Sequence, residues 1–212
     1  MTIPNELPAM ILPGTVLLPK TIMPLRIFEE RYQLMLADSL GGDRIFAIAN
    51  GVPDAADNDS ISDSDRKQLV ATVGLIRVSS QNPDGTSILM LEGTDRVRIE
   101  EVSQLTPYPI LRVSKFPTTN RPQDEFEAEI VVVLLDKVDQ LHELVAVDED
   151  NANAACHAID DLEMLAHFIM QTYCNSSVMM LRTLETTNLI ERCKLVSDYL
   201  QLQIMLAEET GE

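Results

Sequence analysis

Residues 24–36 read Pro-Leu-Arg-Ile-Phe-Glu-Glu-Arg-Tyr-Gln-Leu-Met-Leu, and this stretch decides the fold. It predicts an extended segment that passes directly into a short amphipathic helix. Phe28, Tyr32 and Met35 or Leu36 recur at helical spacing, so we expect them to share one face, with the charged residues between them turned outward. The stretch holds no nucleophile, metal-ligand pattern or phosphate-binding loop, so it predicts a fold but no catalytic chemistry.

The first 115 residues have the pattern of a β-domain into which this helix, near Phe28–Leu40, is inserted. The apolar runs in this part of the sequence end at Gly, Pro or Asn, which is typical of β-strands. The Asp-Gly pair at 84–85 predicts a hairpin, and Gly93-Thr94-Asp95 predicts another turn. About six mostly antiparallel strands predict a small closed or nearly closed β-barrel. The strand candidates around the helix are Met10–Leu18 with a bend at Pro13-Gly14, Ile45–Asn50, Leu69–Ser80, Ser87–Glu92, Arg96–Val102 and Tyr108–Phe116.

Residues 54–66 are polar, acidic and without period. Such a composition does not bury enough apolar area to become ordered, so we predict a mobile loop. The density of Asp and Asn invites a calcium-site interpretation, but the Gly and the terminal Glu of an EF-hand loop are missing at the required spacing.

From Pro122 the apolar residues recur with helical period, which predicts a helical bundle. We therefore divide the chain into a β-barrel subdomain, residues 1–118, and an α-helical subdomain, residues 119–212. An amphipathic helix buries its apolar stripe against neighbours, so the stripes are assigned to a core. The main stripes are Phe126-Ile130-Val133-Leu134-Val138-Leu141, Ile159-Leu162-Leu165-Ala166-Ile169-Met170-Tyr173 on one helix that begins near 151–155, and Leu189-Cys193-Val196-Leu200-Ile204 after a cap at Asn188.

Charge is unevenly distributed along the chain. The net charge is −18, and residues 122–212 carry 4 Lys and Arg against 19 Asp and Glu. Nucleic acids and anionic membranes are bound by basic surfaces, so both are disfavoured as partners of this half. The excess either keeps the protein soluble or steers basic partners toward it.

The composition is that of a cytoplasmic globular protein. No run approaches the roughly 18 apolar residues of a membrane span, and the N-terminus lacks the pattern of a signal peptide. The three cysteines, Cys156, Cys174 and Cys193, are odd in number and widely spaced, which favours reduced thiols over a disulfide framework.

Four places in the sequence resemble the Lon-protease N-terminal domain family, and together they extend over essentially the whole chain. The resemblance implies an α+β fold, with a PUA-like β-barrel followed by a helical bundle, and a domain that binds substrates without cutting them. Because the sequence has no Gly-x-x-x-x-Gly-Lys-Ser/Thr loop, we expect a stand-alone form of this domain that lacks the ATPase and protease domains. The four places are Leu7-Pro8 with Pro24–Met35, Val73-Gly74-Leu75-Ile76, Leu91–Ile99, and Leu184-Glu185 with Leu189-Ile190-Glu191-Arg192.

No catalytic pattern accompanies this resemblance. The sequence has no Gly-x-x-x-x-Gly-Lys-Ser/Thr loop for nucleotide phosphates. Cys156 and His157 are adjacent and so point about 100° apart on a helix, while His157 and His167 lie almost three turns apart, too far to share a metal ion. We therefore expect neither enzymatic activity nor a metal or cofactor.

Recognition of exposed apolar or unfolded polypeptide is the predicted function. It needs a groove lined by adaptable apolar groups and a few polar anchors. Ten methionines suit such a surface, because thioether side chains repack around varied clients. The alternative for Phe28 and Tyr32 is that they hold the inserted helix to the barrel, and the alternative for Arg26 is that it pairs with a nearby carboxylate. The candidate peptide-binding residues are Met23, Arg26, Phe28, Tyr32, Met90, Arg96 and Arg98.

Two other functions stay open from the sequence. PUA-like barrels bind RNA elsewhere, and a basic face would form here if the barrel arginines converged. The domain is otherwise a structural or adaptor subunit that docks onto a separate protease or ATPase. The basic residues in question are Arg77, Arg96, Arg98, Arg112 and Lys115.

Overall fold

A computed structural model describes residues 2–51, 69–145 and 150–210. The chain forms two compact units, Met1–Pro117 and Thr118–Glu212. Over the described residues the first unit holds a six-stranded mixed sheet and one helix, and the second holds five helices. The fold class is therefore α+β, as predicted. The acidic segment 54–66, predicted to be a mobile loop, lies outside the described residues.

The sheet of the first unit has the strand order β2-β5-β4-β3-β1-β6, and β6 also pairs with β5. Every pair is antiparallel except β1 with β3. Because β6 pairs both with β1 and with the second half of β5, strands β5, β4, β3, β1 and β6 pair in a closed ring. The strands are β1 (Glu6–Ile11), β2 (Ile22–Ile27), β3 (Ile45–Ala49), β4 (Val70–Gln81), β5 (Ser87–Gln104) and β6 (Ile110–Lys115).

The turn predicted at Gly93-Thr94-Asp95 is wrong, because β5 continues through it as a single strand. The register against β4 shifts here instead, which marks a β-bulge. A Cβ on Gly93 would lie 2.3 Å from the carbonyl oxygen of Leu18, so the glycine allows a close backbone approach. Gly74, opposite Gly93, leaves space for a side chain instead, since its Cβ would lie 2.4 Å from the side chain of Leu91.

The strand predicted over Met10–Leu18 is also shorter than expected, since β1 ends at Ile11. The chain beyond it turns at Gly14, whose φ of +79° favours glycine. Leu17 and Leu18 are buried without belonging to a strand. Their carbonyl oxygens accept hydrogen bonds from Thr72 Oγ1 at 2.5 Å and Thr21 Oγ1 at 2.7 Å, which satisfies the buried backbone.

The inserted helix, α1 (Glu30–Gly41), begins two residues later than the periodicity predicted. Tyr32, Met35 and Leu36 are buried against the sheet, as their spacing indicated. Phe28 does not share their face. It precedes the helix, in extended chain, and its side chain is 65% exposed.

The second unit holds α2 (Asp124–Leu144), α3 (Asp150–His157), α4 (Leu162–Tyr173), α5 (Ser177–Glu185) and α6 (Leu189–Thr210). The single helix predicted across the α3–α4 region is wrong. Asp161 accepts a hydrogen bond from Met164 N at 2.8 Å, so it caps a new helix. Nowhere in the described parts of the chain is a helix both long and apolar enough to cross a bilayer.

Helix α6 follows its prediction closely. Asn188 Oδ1 accepts hydrogen bonds from Ile190 N and Glu191 N, as an N-cap does. The predicted stripe along the helix is buried, and the residues of that stripe are Leu189, Cys193, Val196, Leu200 and Ile204.

Arg192 lies within this helix and is the largest fully buried side chain among the described residues. Its Nη1 donates to Glu163 Oε1 of α4 at 2.8 Å and lies 3.1 Å from His167 Nε2. Its Nε and Nη2 donate to the carbonyl oxygen of Thr186 at 2.8 and 2.6 Å. Arg192 therefore ties α6 to α4 and to the link that follows α5.

Candidate functional site

A group of neighbouring exposed apolar side chains in the first unit lies on three adjacent strands, β2, β5 and β4. Pro24 of β2 stands opposite Met90 of β5, and Met90 stands opposite Val78 of β4. Side chains directly opposite on one face of a sheet are close enough to form a continuous surface. We call this surface the outer sheet face, and its apolar residues are Ile22, Pro24, Val78, Ile88 and Met90.

The outer sheet face is exposed because strands alternate their side chains between two faces. In β5, Leu89 and Leu91 point inward and are buried in the core with Tyr32. Ile88 and Met90 therefore point outward, where they are 50% and 36% exposed. The core is already filled from the other face, so burial within the unit does not account for these apolar side chains.

A β-bulge places Val78 on this face. The β4–β5 register shifts between Ile76 and Val78, so Arg77 is the additional residue. Ile76 is buried opposite Leu91, whereas Val78 is 58% exposed opposite Met90. Bulges of this kind redirect side chains without ending the strand pairing.

Ion pairs border the outer sheet face at both ends. Arg77 donates to Glu92 at one end, and this hydrogen bond raises the pKa of Arg77. At the other end, Arg26 Nη2 lies 3.8 Å from Asp84 Oδ2. Hydrogen bonds from Thr86 lower the pKa of Asp84, so it is charged at neutral pH. The face thus has an apolar centre and nearly balanced charge at its border.

The structure brings together only part of the predicted peptide-binding set. Arg26 and Met90 lie on the outer sheet face, in adjacent rows. Met23 lies on the opposite side of β2, packed against the core, so Met23 and Met90 do not form one surface. Tyr32 is also in the core, and its hydroxyl lies 3.3 Å from Ile11 N, which donates to it. Phe28 is exposed just beyond the end of β2.

Arg96 and Arg98 lie in the second half of β5, beyond the bulge. Their guanidinium groups stack over the ring of Phe116, at 5.7 and 5.1 Å from its centroid. Arg96 is buried. Along β5, both arginines lie at least six residues from Met90, which is roughly 20 Å of strand at 3.3 Å per residue.

Three arginines of the set that would form an RNA-binding face are already paired or buried. Arg77 pairs with Glu92, and Arg112 Nη1 lies 2.9 Å from Glu101 Oε1. Arg96 is buried beside an aromatic ring. Binding of a phosphate backbone requires exposed cations whose charge is not already compensated, so these three arginines do not meet that requirement.

Within the described ranges, no group of three or more His, Cys, Asp or Glu side chains is placed to hold a metal ion. His157 Nε2 lies 2.8 Å from Asp139 Oδ1 in a pair at the surface, and this pair lowers the pKa of Asp139. The three cysteines are free thiols. Burial raises the pKa of Cys156 to about 11 and of Cys193 to about 12, so neither is a reactive thiolate at neutral pH.

Sequence reasoning missed Ile22, Pro24, Val78 and Ile88. The sequence contains one signal for Ile88. Residues 88–91 read Ile-Leu-Met-Leu, so four consecutive residues of the strand are apolar. Such a run places apolar groups on both faces of the sheet. No comparable signal marks Val78, because its orientation depends on the bulge at Arg77.

Comparisons with known proteins identify the family to which this chain is similar. Residues 6–201 match the family described as the ATP-dependent protease La (LON) substrate-binding domain. The Lon protease of Desulfosudis oleivorans is 27% identical over 206 residues, which cover 95% of this chain and 24% of that protein. The Lon protease of Dictyoglomus thermophilum is 26% identical over 97% of this chain and 25% of its own length.

Solved structures agree on the fold. The N-terminal domain of the Mycobacterium avium complex Lon protease superposes with a TM-score of 0.70 at 15% identity, covering 92% of this chain and 98% of that one. A Lon N-terminal domain protein from Xanthomonas campestris gives a TM-score of 0.61 at 19% identity, covering 89% and 95%. This chain spans about a quarter of the length of the Lon proteases that it matches. It belongs to the Lon substrate-binding domain family.

Proposed function

We propose that this domain recognises exposed apolar segments of unfolded polypeptides through the outer sheet face, without cutting them. The single observation that carries the proposal is the row Pro24–Met90–Val78, apolar side chains from three adjacent strands that the unit leaves exposed. The family description, a substrate-binding domain, supports the same function.

The border of the outer sheet face is suited to the binding of many different clients. Full burial of one apolar side chain contributes about 1.5–3 kcal/mol, and a binding segment loses part of this gain when it becomes ordered. A few such contacts give weak affinity for any single segment. Because the ion pairs Arg77–Glu92 and Arg26–Asp84 are nearly neutral, they select neither acidic nor basic clients.

Side chains, rather than a strand edge, make the contact in this proposal. Over the described residues β2 pairs only with β5, so its other edge is open to an added strand. Gly93 N donates to the carbonyl oxygen of Thr21, and by alternation the backbone groups of Pro24 point to the open edge. Proline has no N–H to donate, which interrupts that edge and disfavours strand addition.

We further propose that the closed ring of strands is a PUA-like β-barrel and that the domain works in the cytoplasm. It supplies substrates either to a protease in the same polypeptide or, as an adaptor, to a separate one. The sequence printed here has no nucleotide phosphate loop, so any energy-dependent unfolding is assigned to other domains or partners.

Affinity for a permanently unfolded client tests the proposal. Reduced and carboxymethylated α-lactalbumin, labelled with a fluorophore, is titrated with the protein and followed by anisotropy. Met90→Asp and Val78→Asp place a charge at the centre of the outer sheet face. Each is expected to weaken binding about tenfold, which corresponds to about 1.4 kcal/mol.

Leu105→Asp is the matched control, because Leu105 is an apolar residue of the first unit that lies outside the outer sheet face and is about as exposed as Val78, 64% against 58%. It is expected to bind like the wild type. Circular dichroism melts establish that each variant is folded. Equal affinity of the folded Met90→Asp, Val78→Asp and Leu105→Asp proteins would reject the outer sheet face as the binding site.

A further inference from the structure

The second unit has an apolar groove between helices α2 and α6 that the proposed function does not use. Its volume is about 340 Å³. Leu134 and Cys193 are buried at its base, and Phe126, Ile130, Val133 and Ile190 form its apolar walls. Lys137 Nζ, on α2, donates to the carbonyl oxygen of Ser197, on α6, at 3.1 Å, just past the lining residues. We call this feature the α2–α6 groove.

The groove exists because the apolar stripe of α2 is wider than its neighbours cover. Its periodicity assigned Phe126 and Val133 to the core together with Leu134 and Val138. Leu134 and Val138 are buried, whereas Phe126 and Val133 are 46% and 48% exposed. The part of the stripe that faces the groove therefore has no partner within the described residues of the second unit.

Carboxylates surround this apolar strip. Glu129 lines the groove, and Glu125 precedes it by one turn on the same side of α2. On α6, Glu191 and Asp198 are exposed two turns apart. Lys194 is the one basic residue among those that line it. The groove is thus apolar inside and acidic at its border, within a unit of 5 Lys and Arg against 19 Asp and Glu.

From this pattern we propose that the α2–α6 groove docks a basic amphipathic helix of a partner protein. The lining residues of α2 span Phe126 to Leu134, about 12 Å or roughly two turns. A helix with apolar residues at i, i+3 or i+4 and i+7 fills such a length, as helices do in apolar grooves. Lys and Arg beside those residues would face Glu125, Glu129, Glu191 and Asp198.

The acidic border of the α2–α6 groove favours a basic helix over a second copy of this chain. Two copies facing each other through the groove would bring two acidic borders together, and like charges across an interface oppose association. A basic helix gains from the same field, both in its rate of association and in its orientation.

A synthetic peptide tests the proposal with the full chain. The probe has about 14 residues, roughly four turns, with Leu on one face and Lys on the other. One control peptide has the same composition with Leu distributed around the helix, and a second has Glu in place of Lys. Binding of the fluorescent peptide is followed by anisotropy at low and moderate salt.

Two adjacent residues of α2 provide a matched pair of variants. Val133 lines the groove and Val132 is exposed on another side of the helix. Val133→Asp and Glu129→Lys are each expected to weaken binding of the probe about tenfold, whereas Val132→Asp leaves it unchanged. Melting curves confirm that the variants are folded. Glu129→Lys alters only an exposed side chain, so it also tests the site should Val133→Asp unfold.

Each alternative result would overturn the proposal. These are no binding of the probe, equal binding of either control peptide, and equal loss in Val132→Asp and Val133→Asp. The same holds for a dimer in sedimentation that Val133→Asp dissociates, since the groove would then bind another copy of this chain.

Discussion

Arg192→Met removes a buried side chain that joins α4, α6 and the link after α5. The guanidinium is fully buried, and burial lowers its pKa, yet it remains charged at neutral pH because arginine is not deprotonated in proteins. Methionine is similar in length and apolar, so the substitution removes hydrogen bonds and charge while leaving most of the volume filled. The variant therefore isolates the polar network.

The expected loss follows from the groups that remain. Without Arg192, Glu163 keeps a negative charge at a site where its side chain is only 17% exposed, and the carbonyl oxygen of Thr186 loses two donors. Removing one partner of a buried ion pair costs about 3–5 kcal/mol. The small access of water to Glu163 places the expectation near the lower end, about 3 kcal/mol. For a unit of this size that is a fall in Tm of roughly 12–24 °C.

Urea titration followed by circular dichroism measures this loss, with Arg182→Met as the matched control. Arg182 is an exposed arginine on α5 of the same unit, so its substitution is expected to change the free energy of unfolding by less than about 0.5 kcal/mol. The reasoning is refuted if the two variants unfold at the same urea concentration.

Three further outcomes follow from the structure. Gly93→Ala is expected to destabilise the first unit by about 1–3 kcal/mol, because the added Cβ meets a backbone carbonyl oxygen at 2.3 Å. Gly41→Ala, at a site with no atom within 4 Å, is expected to be neutral or slightly stabilising in the same urea titration. Burial alone would raise the pKa of Glu163, but hydrogen bonds from a threonine and an arginine outweigh it and hold this pKa below its ordinary value of 4.5. A carboxylate with a lowered pKa stabilises the fold above its ordinary pKa and loses that contribution as the pH falls. The difference in unfolding free energy between wild type and Glu163→Gln is thus expected to be full near neutral pH and to vanish in acid, and a difference independent of pH would contradict it.

Most of the elements could be predicted because their apolar period is sustained. The stripe from Leu189 to Ile204 is long enough to define α6, and Asn188 marks its start. The hairpin around Asp84-Gly85 joins β4 and β5 as its sequence indicated. These features are local, so a single segment of sequence contains the information that specifies them.

The differences arise where distant residues decide the local structure. Gly93 reads equally well as a turn or as a bulge, and the carbonyl oxygen of Leu18, 75 positions earlier, favours the bulge. Val133 has the spacing of a core residue, but its burial depends on how far neighbouring helices extend over α2. Neither outcome is encoded in the adjacent sequence.

The residues of the proposed binding face could be predicted only in part, for the same reason. Met23 and Pro24 point to opposite faces of β2, because side chains alternate along a strand. Only the register of β2 against β5 shows which of the two shares a face with Met90. That register, and the bulge that aligns Val78 with Met90, emerge only from the folded sheet. The family resemblance predicted the α+β fold class, which the structure confirms, but it did not indicate the face that we propose for binding.

Photo-crosslinking from the outer sheet face tests the central claim most directly. p-Benzoylphenylalanine is placed at position 90 in one protein and at position 105 in another, and each is irradiated with the unfolded client. We predict a crosslinked product from position 90, competed by unlabelled unfolded client but not by the same protein in its native state. Crosslinking that is equal from both positions, or found only from position 105, would contradict the account.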